Sequence, residues 1–267
     1  MIVEWNQHIF SPDTAAYPLH DRAAYRPDMS RHPTDPLGTY VHHMRAEGID
    51  RAIIVHPEPY GDDHRLILEC LECEPDILRG TSLFYPRDED APDRLADLVS
   101  HQPKIVSTRF HAHRGKEMYL DNFAERGVRA LWEKAVELGL VIELHIGPNY
   151  AAQVAQVLRD IPDSVALIDH LAEPHMGSSV EFADVLELAS FDRVYMKLSA
   201  LSHFAQDAPR YESARAFTRR VIAEFGPDRL VWGGETPAIV DVHMPEYSVE
   251  ERARVKGLNL INLLQWR

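Results

Sequence analysis

The stretch Val141-Ile-Glu-Leu-His-Ile146 is a short apolar run that carries a histidine near its end. A helix-like segment, Val128 to Leu138, precedes it and stops at Gly139, and a second, Ala151 to Arg159, follows it. Glycine just past a helix supplies the left-handed conformation that ends it. Continuous apolar runs of this length are typical of strands buried on both faces, as in a parallel sheet.

The same strand–helix unit recurs along the whole chain. The other apolar runs are Ile2 to His8, Arg51 to His56, Arg79 to Tyr85, Lys104 to Phe110, Val165 to Asp169, Val194 to Lys197 and Leu230 to Trp232. The other helix-like segments are Pro36 to Glu47, Asp63 to Cys73, Asp93 to His101, Val180 to Ala189, Tyr211 to Phe225 and Val249 to Leu264. Eight alternating units without a linker predict an α/β fold, a (β/α)₈ TIM barrel that forms one domain over residues 1–267. An open doubly wound sheet is the competitor, but the glycine-rich phosphate loop that usually follows its first strand is missing.

The composition limits the classes of partner. The 267 residues are 45% hydrophobic and 26% charged, which is ordinary for a globular protein with a core, and the net charge is −14. An acidic surface argues against nucleic acid or an anionic membrane as the main partner. The two cysteines, Cys70 and Cys73, lie in a helix-like segment and are expected to pack in the core. Without a basic leader or a membrane-length apolar run, the sequence predicts a cytoplasmic protein.

Polar residues end most of the apolar runs. In a barrel, the carboxyl ends of all eight strands surround one axis, and chemistry collects there. The candidate site residues are Asn6, His8, His56, Arg109, His145, His170, Lys197 and Glu235. Polar groups are costly to bury without partners, so their recurrence predicts a shared reactive cavity. Alternation along a strand predicts that His170, and not its neighbour Asp169, faces the axis. His111 and His113 are expected to be structural.

The segment after the first strand, residues 11–34, is long and rich in proline. On the reactive face, such a loop could cover the cavity as a lid. A plain surface excursion would have the same sequence, and both interpretations stay open here.

Several motifs together resemble the amidohydrolase superfamily, within it the amidohydrolase-2 branch of 2-pyrone-4,6-dicarboxylate and sugar lactonases. They are Trp5-Asn-Gln-His-Ile-Phe10, Ile53-Ile-Val-His-Pro-Glu-Pro-Tyr-Gly61, Val106-Ser-Thr-Arg-Phe110, Leu167-Ile-Asp-His-Leu171, Tyr195-Met-Lys-Leu-Ser199, Arg229-Leu-Val-Trp-Gly-Gly-Glu-Thr-Pro237 and Gly257-Leu-Asn259. The resemblance runs nearly from end to end. It implies a hydrolase that acts on a small molecule, and barrels of this type often pair as homodimers.

The chain departs from the family pattern at two positions. The family opens with two histidines that flank one residue, where this chain has Asn6 and His8, and it normally has an aspartate where this chain has Glu235. In metal-dependent members, those family positions hold a metal. A zinc or manganese site from His8, His170 and Glu235, with a water in the open position, is therefore conceivable. The branch also contains members that hydrolyse without a metal, and we favour no obligatory cofactor.

The resemblance implies hydrolysis of a lactone, or a similar ester-like ring, in a small carboxylated or sugar-derived molecule. Glu235 is the expected base, and His8 and His170 are expected to polarise the carbonyl. A second set of residues would bind the substrate: Asn6, His56, Arg109 (gripping a carboxylate in bidentate fashion), His145 and Lys197. A metal-dependent amidohydrolase or decarboxylase, and a degenerate member that only binds a ligand, are the alternatives.

Overall fold

The computed structural model describes residues 1–112 and 119–266. Its strands are β1 (Val3–Gln7), β2 (Arg51–Ile54), β3 (Leu78–Leu83), β4 (Ile105–His111), β5 (Val141–His145), β6 (Ala166–Ile168), β7 (Val194–Leu198) and β8 (Leu230–Trp232). All neighbouring strands pair in parallel in the order β1 to β8, and β8 lies beside β1, so the sheet is a nearly closed barrel. The predicted fold class is confirmed.

The helices surround this barrel. In the described residues they are α1 (Pro36–Glu47), α2 (Arg65–Cys73), α3 (Ala91–His101), α4 (Arg126–Glu137), α5 (Ala151–Asp160), α6 (Ser179–Glu187), α7 (Arg215–Phe225), α8 (Ala238–His243), α9 (Val249–Ala253) and α10 (Asn259–Leu263). The sequence prediction missed α8. The last predicted helix is divided by a π-helical turn, Arg254–Leu258, between α9 and α10. No helix in the described ranges is long and apolar enough to cross a bilayer.

Alternate residues of each strand pack in two separate hydrophobic clusters. The larger cluster joins one face of the strands to the helices. The smaller cluster fills the barrel interior with odd-numbered residues, among them Trp5, Ile53, Leu167 and Val231, and Trp266 packs against it. Trp266 also lies under Arg51, which begins β2, so the chain's end covers the amino-terminal side of the barrel. The carboxyl ends of the strands are left for chemistry.

A β-bulge in β1 changes which side chains point inward. Trp5 pairs with Ile53, whereas Gln7 pairs with Ile54, so Asn6 is the extra residue of the bulge. A bulge re-aims the residues that follow it. His8 thereby turns toward the barrel mouth although the odd-numbered residues of β1 face the interior.

The seam between β8 and β1 depends on a buried glutamate and a glycine. The carboxylate of Glu4 accepts a hydrogen bond from the Gly234 backbone N–H at 3.1 Å and another from the Tyr40 hydroxyl at 2.6 Å. At Gly233, a Cβ atom would lie 2.0 Å from the carbonyl oxygen of Trp5. Only glycine permits so close an approach of the two backbones.

We predict that Gly233→Ala destabilises the protein by about 3 kcal/mol or more, because the added methyl overlaps a backbone oxygen that cannot move away. Gly139→Ala is the control, since no atom lies within 4 Å of its Cβ position and the cost is that of a positive φ, about 1 kcal/mol. Urea unfolding of both variants gives the comparison. Equal losses would show that the seam is not tightly packed.

The long loop after β1 is fastened to the loop after β2. Three of its backbone N–H groups, those of Ser11, His20 and Ala24, donate to oxygens of residues 58–60 at 2.6 to 2.9 Å. These bonds hold the loop on the carboxyl side of the barrel. That it covers the cavity stays a prediction.

Candidate active site

Four charged side chains form a buried cluster inside the barrel, one from each of the strands β4 to β7 or the residue after them. Asp169 lies at its centre: its Oδ1 is 2.5 Å from Lys197 Nζ, and its Oδ2 is 2.6 Å from Arg109 Nη2. Lys197 Nζ also contacts Glu143 Oε1 at 2.6 Å. All four are buried, and buried charges persist only when they are paired in this way.

The cluster shifts the ionisation of both carboxylates. Burial would raise the pKa of Asp169, but the nearby Lys197 and Arg109 outweigh burial and lower it, so Asp169 is an anion. Burial raises the pKa of Glu143 to about 7, against the opposing effect of Lys197. Two cations thus face the anion Asp169 and a second carboxyl group, Glu143, whose protonation burial favours.

The expectation that Asp169 faces away from the axis is wrong, whereas His170 lies at the site as expected. Leu167 faces the interior, so strand alternation also points Asp169 inward. His170 reaches the same region because the chain leaves β6 after Ile168 and turns left-handed, with a φ of 52° at His170. Both residues therefore belong to the site.

His145 and His170 lie side by side at the mouth of the barrel, with ring centroids 4.9 Å apart. Arg109 Nη2 lies 3.0 Å from His145 Nδ1, and because a guanidinium only donates, Nδ1 must accept. The proton of His145 is then on Nε2, which donates to Glu173 Oε1 at 3.2 Å. His170 Nδ1 is 2.8 Å from the buried Ser199 hydroxyl.

His8 also lies at the mouth of the barrel, but the N–H of its ring already donates to the backbone. Its Nδ1 lies 2.8 Å from the Val55 carbonyl, so Nδ1 carries the proton and Nε2 can only accept. Burial, together with Arg109, lowers the pKa of His8 to about 3, so the ring is neutral. A carbonyl oxygen needs a donor, so this arrangement does not favour the role in polarising a carbonyl that the sequence predicts for His8.

Glu235 and Asn6 lie where β8 meets β1. Glu235 Oε1 accepts a hydrogen bond from the Leu201 N–H at 2.8 Å, while Oε2 is buried without a hydrogen-bond partner in the described chain. Burial raises the pKa of Glu235, against the backbone hydrogen bonds that it accepts. The Asn6 side chain lies against Gly234, and its Oδ1 is also buried and unpaired among residues 1–112 and 119–266.

Two residues expected to bind the substrate are committed to the buried cluster instead. Arg109 directs both Nε and Nη2 at Asp169 Oδ2, so its fork grips an internal carboxylate. Lys197 is fully buried between Glu143 and Asp169. This arrangement does not favour direct substrate contact by either side chain, because withdrawing both would leave Asp169 as an uncompensated buried charge. The contact expected from the sequence stays a prediction.

Of the histidines along β2 and β4, His56 lies outside this group. It points toward the helices, where its Nε2 is 2.8 Å from the Gly61 carbonyl and its ring lies 4.5 Å from His64. This position does not favour the expected contact of His56 with substrate, and its bond holds the loop after β2. His111 Nε2 lies 3.2 Å from His145 Nδ1, so it adjoins the site, and His113 lies outside the described residues.

Three residues of the site, Glu143, Glu173 and His203, were not predicted from the sequence. Glu143 could have been found, since it lies two residues before His145 in the same strand and so points to the same side. Glu173 and His203 lie in loops after β6 and β7, and His203 Nδ1 is 2.9 Å from Glu173 Oε1. Loop position at the carboxyl end of a barrel is their one sequence signal.

The sequence matches the profile of the amidohydrolase family over residues 6–256. The chain belongs to the amidohydrolase family. It is 27% identical over 241 residues to the 4-sulfomuconolactone hydrolase of Hydrogenophaga intermedia, which covers 86% of this chain and 72% of that relative. The resemblance stated from the motifs is confirmed.

Solved structures share the family's barrel. A Pseudomonas putida protein, solved as a candidate 2-pyrone-4,6-dicarboxylic acid hydrolase, matches with a TM-score of 0.78 at 22% identity and covers 100% of this chain and 98% of that one. An amidohydrolase from Burkholderia multivorans with bound zinc matches with a TM-score of 0.72 at 17% identity, covering 99% of each chain. These likenesses establish the fold.

Three residues of this family member have the donor types and spacing to hold a metal ion: His145, Asp169 and His170, whose ligand atoms lie within 4.8 Å of one another. This set shares only His170 with the set expected from the sequence. As arranged, it does not fit a divalent ion, because both Asp169 oxygens already contact cations and Arg109 also donates to His145. A metal ion there would face two like charges at short range.

We predict that Asp169→Ala destabilises the protein by about 3 to 5 kcal/mol, since it leaves Arg109 and Lys197 buried without their shared counter-ion. The control is Glu137→Ala, which removes an exposed partner of Lys134 and should cost less than about 1 kcal/mol. Chemical denaturation measures both. Similar small losses would contradict a buried charged cluster.

Proposed function

We propose that the chain hydrolyses the ring ester of a lactone in a small carboxylated molecule. The observation that carries the proposal is Glu235, a buried carboxylate whose Oε1 is fixed by the backbone while Oε2 has no partner among the described residues. Such a group is suited to take a proton from water. The similarity to 4-sulfomuconolactone hydrolase over 86% of the chain supports a lactone as the substrate class.

Glu235 and His170 have complementary roles in this proposal. Glu235 takes the proton of the attacking water, and its pKa, raised by burial, brings it closer to the range where a base works at neutral pH. The Ser199 hydroxyl lies 2.8 Å from His170 Nδ1, and in the proposed mechanism it donates to that nitrogen, so that His170 Nε2 carries the proton that polarises the substrate carbonyl. Burial lowers the pKa of His170 well below its ordinary value, which keeps the ring neutral.

His8 and Asn6 complete the wall on the β1 side. The lone pair on His8 Nε2 accepts a hydrogen bond from the attacking water and helps to orient it, because the Nδ1 proton is held by Val55. Asn6 supplies an amide beside Gly234, close to the Glu235 backbone. His145 is the remaining binding candidate, oriented by Arg109.

The two buried cations support a carboxylated substrate without direct contact. Arg109 and Lys197 lie side by side below the mouth, although the whole chain carries a charge of −14. A cation in a cleft with low-dielectric walls attracts a ligand of the opposite sign. The bidentate grip expected from Arg109 is not needed for this attraction.

We predict that Glu235→Gln lowers kcat by about 10² to 10⁴-fold with little change in ligand binding, since the amide keeps the shape but cannot take a proton. The assay panel consists of sugar lactones, muconolactones and pyrone carboxylates, and Glu224→Gln, at an exposed position, is the control. Full activity of Glu235→Gln would contradict this role. Tight ligand binding with no turnover by the wild type would favour a binding protein instead.

We further propose that hydrolysis needs no obligatory metal. Arg109 and Lys197 already supply positive charge at the three residues whose spacing suits a metal ion. The purified protein should therefore hold substoichiometric zinc and manganese by elemental analysis, and it should keep its rate after chelation. Loss of activity on chelation, restored by zinc or manganese, would contradict this and favour the metal-dependent alternative.

The cytoplasmic location and the homodimer expected from the sequence stay predictions, as does the single domain over residues 1–267. Fractionation of the source cells tests the first, and light scattering of the purified protein tests the second.

A further inference from the structure

A left-handed turn after β6 brings a second buried carboxylate to the mouth. The four residues from His170 to Glu173 have φ values of 52°, 57°, 59° and 51°, and none of them is glycine. Each such residue costs about 1 to 2 kcal/mol, so a run of four is rare outside functional sites. The turn directs the Glu173 carboxylate back toward the loop after β7.

Glu173 there holds a partly exposed histidine. Its Oε1 and Oε2 lie 2.9 and 3.1 Å from His203 Nδ1, and the side-chain exposures are 2% for Glu173 and 40% for His203. A carboxylate oxygen accepts, so His203 Nδ1 carries the proton. The carboxylate also stabilises a second proton, carried on Nε2, and the imidazolium formed in this way can donate that proton, as in a carboxylate–histidine pair of a hydrolase triad.

His203 also adjoins a residue to which the proposed function gives a role. Its ring packs edge-on against His170, with centroids 5.3 Å apart. A positive charge on His203 would also lower the pKa of Glu235. His203 thus lies beside the expected carbonyl-polarising group.

We propose that His203, oriented by Glu173, is the general acid that protonates the leaving oxygen of the lactone. This rests on the proposed function. Water oxygen bonds to the carbonyl carbon while its proton passes to Glu235. When the ring carbon–oxygen bond breaks, its electron pair stays on the ring oxygen, which takes the proton from His203 Nε2. The proton on Glu235 then returns to His203, and no further reactant is needed.

The leaving group provides the test. An aliphatic alkoxide needs a proton to leave, whereas a phenolate leaves without one. In His203→Ala, we expect kcat for an aliphatic sugar lactone to fall about 10²-fold or more, and kcat for the aryl lactone dihydrocoumarin to fall much less. KM should change little for either, and added imidazole should restore part of the lost rate with the sugar lactone.

His175→Ala is a matched control. His175 has nearly the same side-chain exposure, 39%, but its Nδ1 lies 3.7 Å from the same Glu173 carboxylate, beyond hydrogen-bond distance. It should keep both rates. Glu173→Gln keeps the side-chain shape and removes the carboxylate; it should lower the sugar-lactone rate selectively, and imidazole should not restore it, because His203 still fills its own place.

Two failures can be told apart. Absence of turnover of every lactone by the wild type contradicts the proposed function. Wild-type turnover, combined with equal losses for both leaving groups in folded His203→Ala, contradicts the acid role of His203 alone. If His203→Ala does not fold, as shown by circular dichroism, Glu173→Gln decides by the same comparison: an equal loss on both lactones, or no loss, overturns the proposal.

Discussion

The pairing of Asp169 with Lys197 and Arg109 is the interaction on which the site depends. A carboxylate without partners in the barrel interior would take up a proton, whereas here two cations keep it charged. The three side chains start from three different strands, so the pairing also fixes how those strands present their ends. Arg109 then orients His145, and burial, assisted by the two cations, lowers the pKa of His8 and of His170 and so keeps both rings neutral.

The strained turn after β6 begins directly beside this anchor. Asp169 is held by two ion pairs, so the next residue starts from a fixed point, and the turn from His170 to Glu173 is retained by hydrogen bonds at both of its ends. Strain of this kind persists only where the surroundings over-determine it. The ion cluster supplies that support, and the turn in return brings His170 and Glu173 to one mouth.

The strands and most helices could be predicted because a strand that is buried on both faces appears in the sequence as a continuous apolar run. The regular alternation of such runs with helix-like segments is found in few folds. Strand alternation alone was not sufficient where a local backbone event changed the phase. Asp169 was expected to face away because His170 was treated as part of β6, whereas His170 follows the strand end in a left-handed turn. His8 was expected at the cavity and does turn inward, but it does so through the bulge at Asn6. Neither the left-handed turn nor the bulge can be predicted from the residue types in these segments, because both depend on how neighbouring strands pair.

The roles of charged residues were predicted less well than their positions. Arg109 and Lys197 were expected at the barrel mouth and do lie in the barrel, yet their partners are internal. A sequence shows that a charged residue lies in a strand, but it does not show which other charged residue forms an ion pair with it. Glu143 is the fourth member of the cluster and lies in a run that is otherwise mostly apolar. Pairing within a barrel is set by register between strands, which is a tertiary property.

The histidines of the site differ by what their protonated nitrogen contacts, and this separates their chemistry. His8 donates to a backbone carbonyl beside a positive cluster, which disfavours a second proton. His203 donates instead to a carboxylate, which stabilises an imidazolium, and it is partly open to water. A buried cation beside a ring suits the negative charge that develops on a carbonyl oxygen, but it disfavours a second proton on that ring. A hydrolase built on this cluster therefore needs its proton donor at the rim, beside an anion, and Glu173 is the buried anion that the left-handed turn places there.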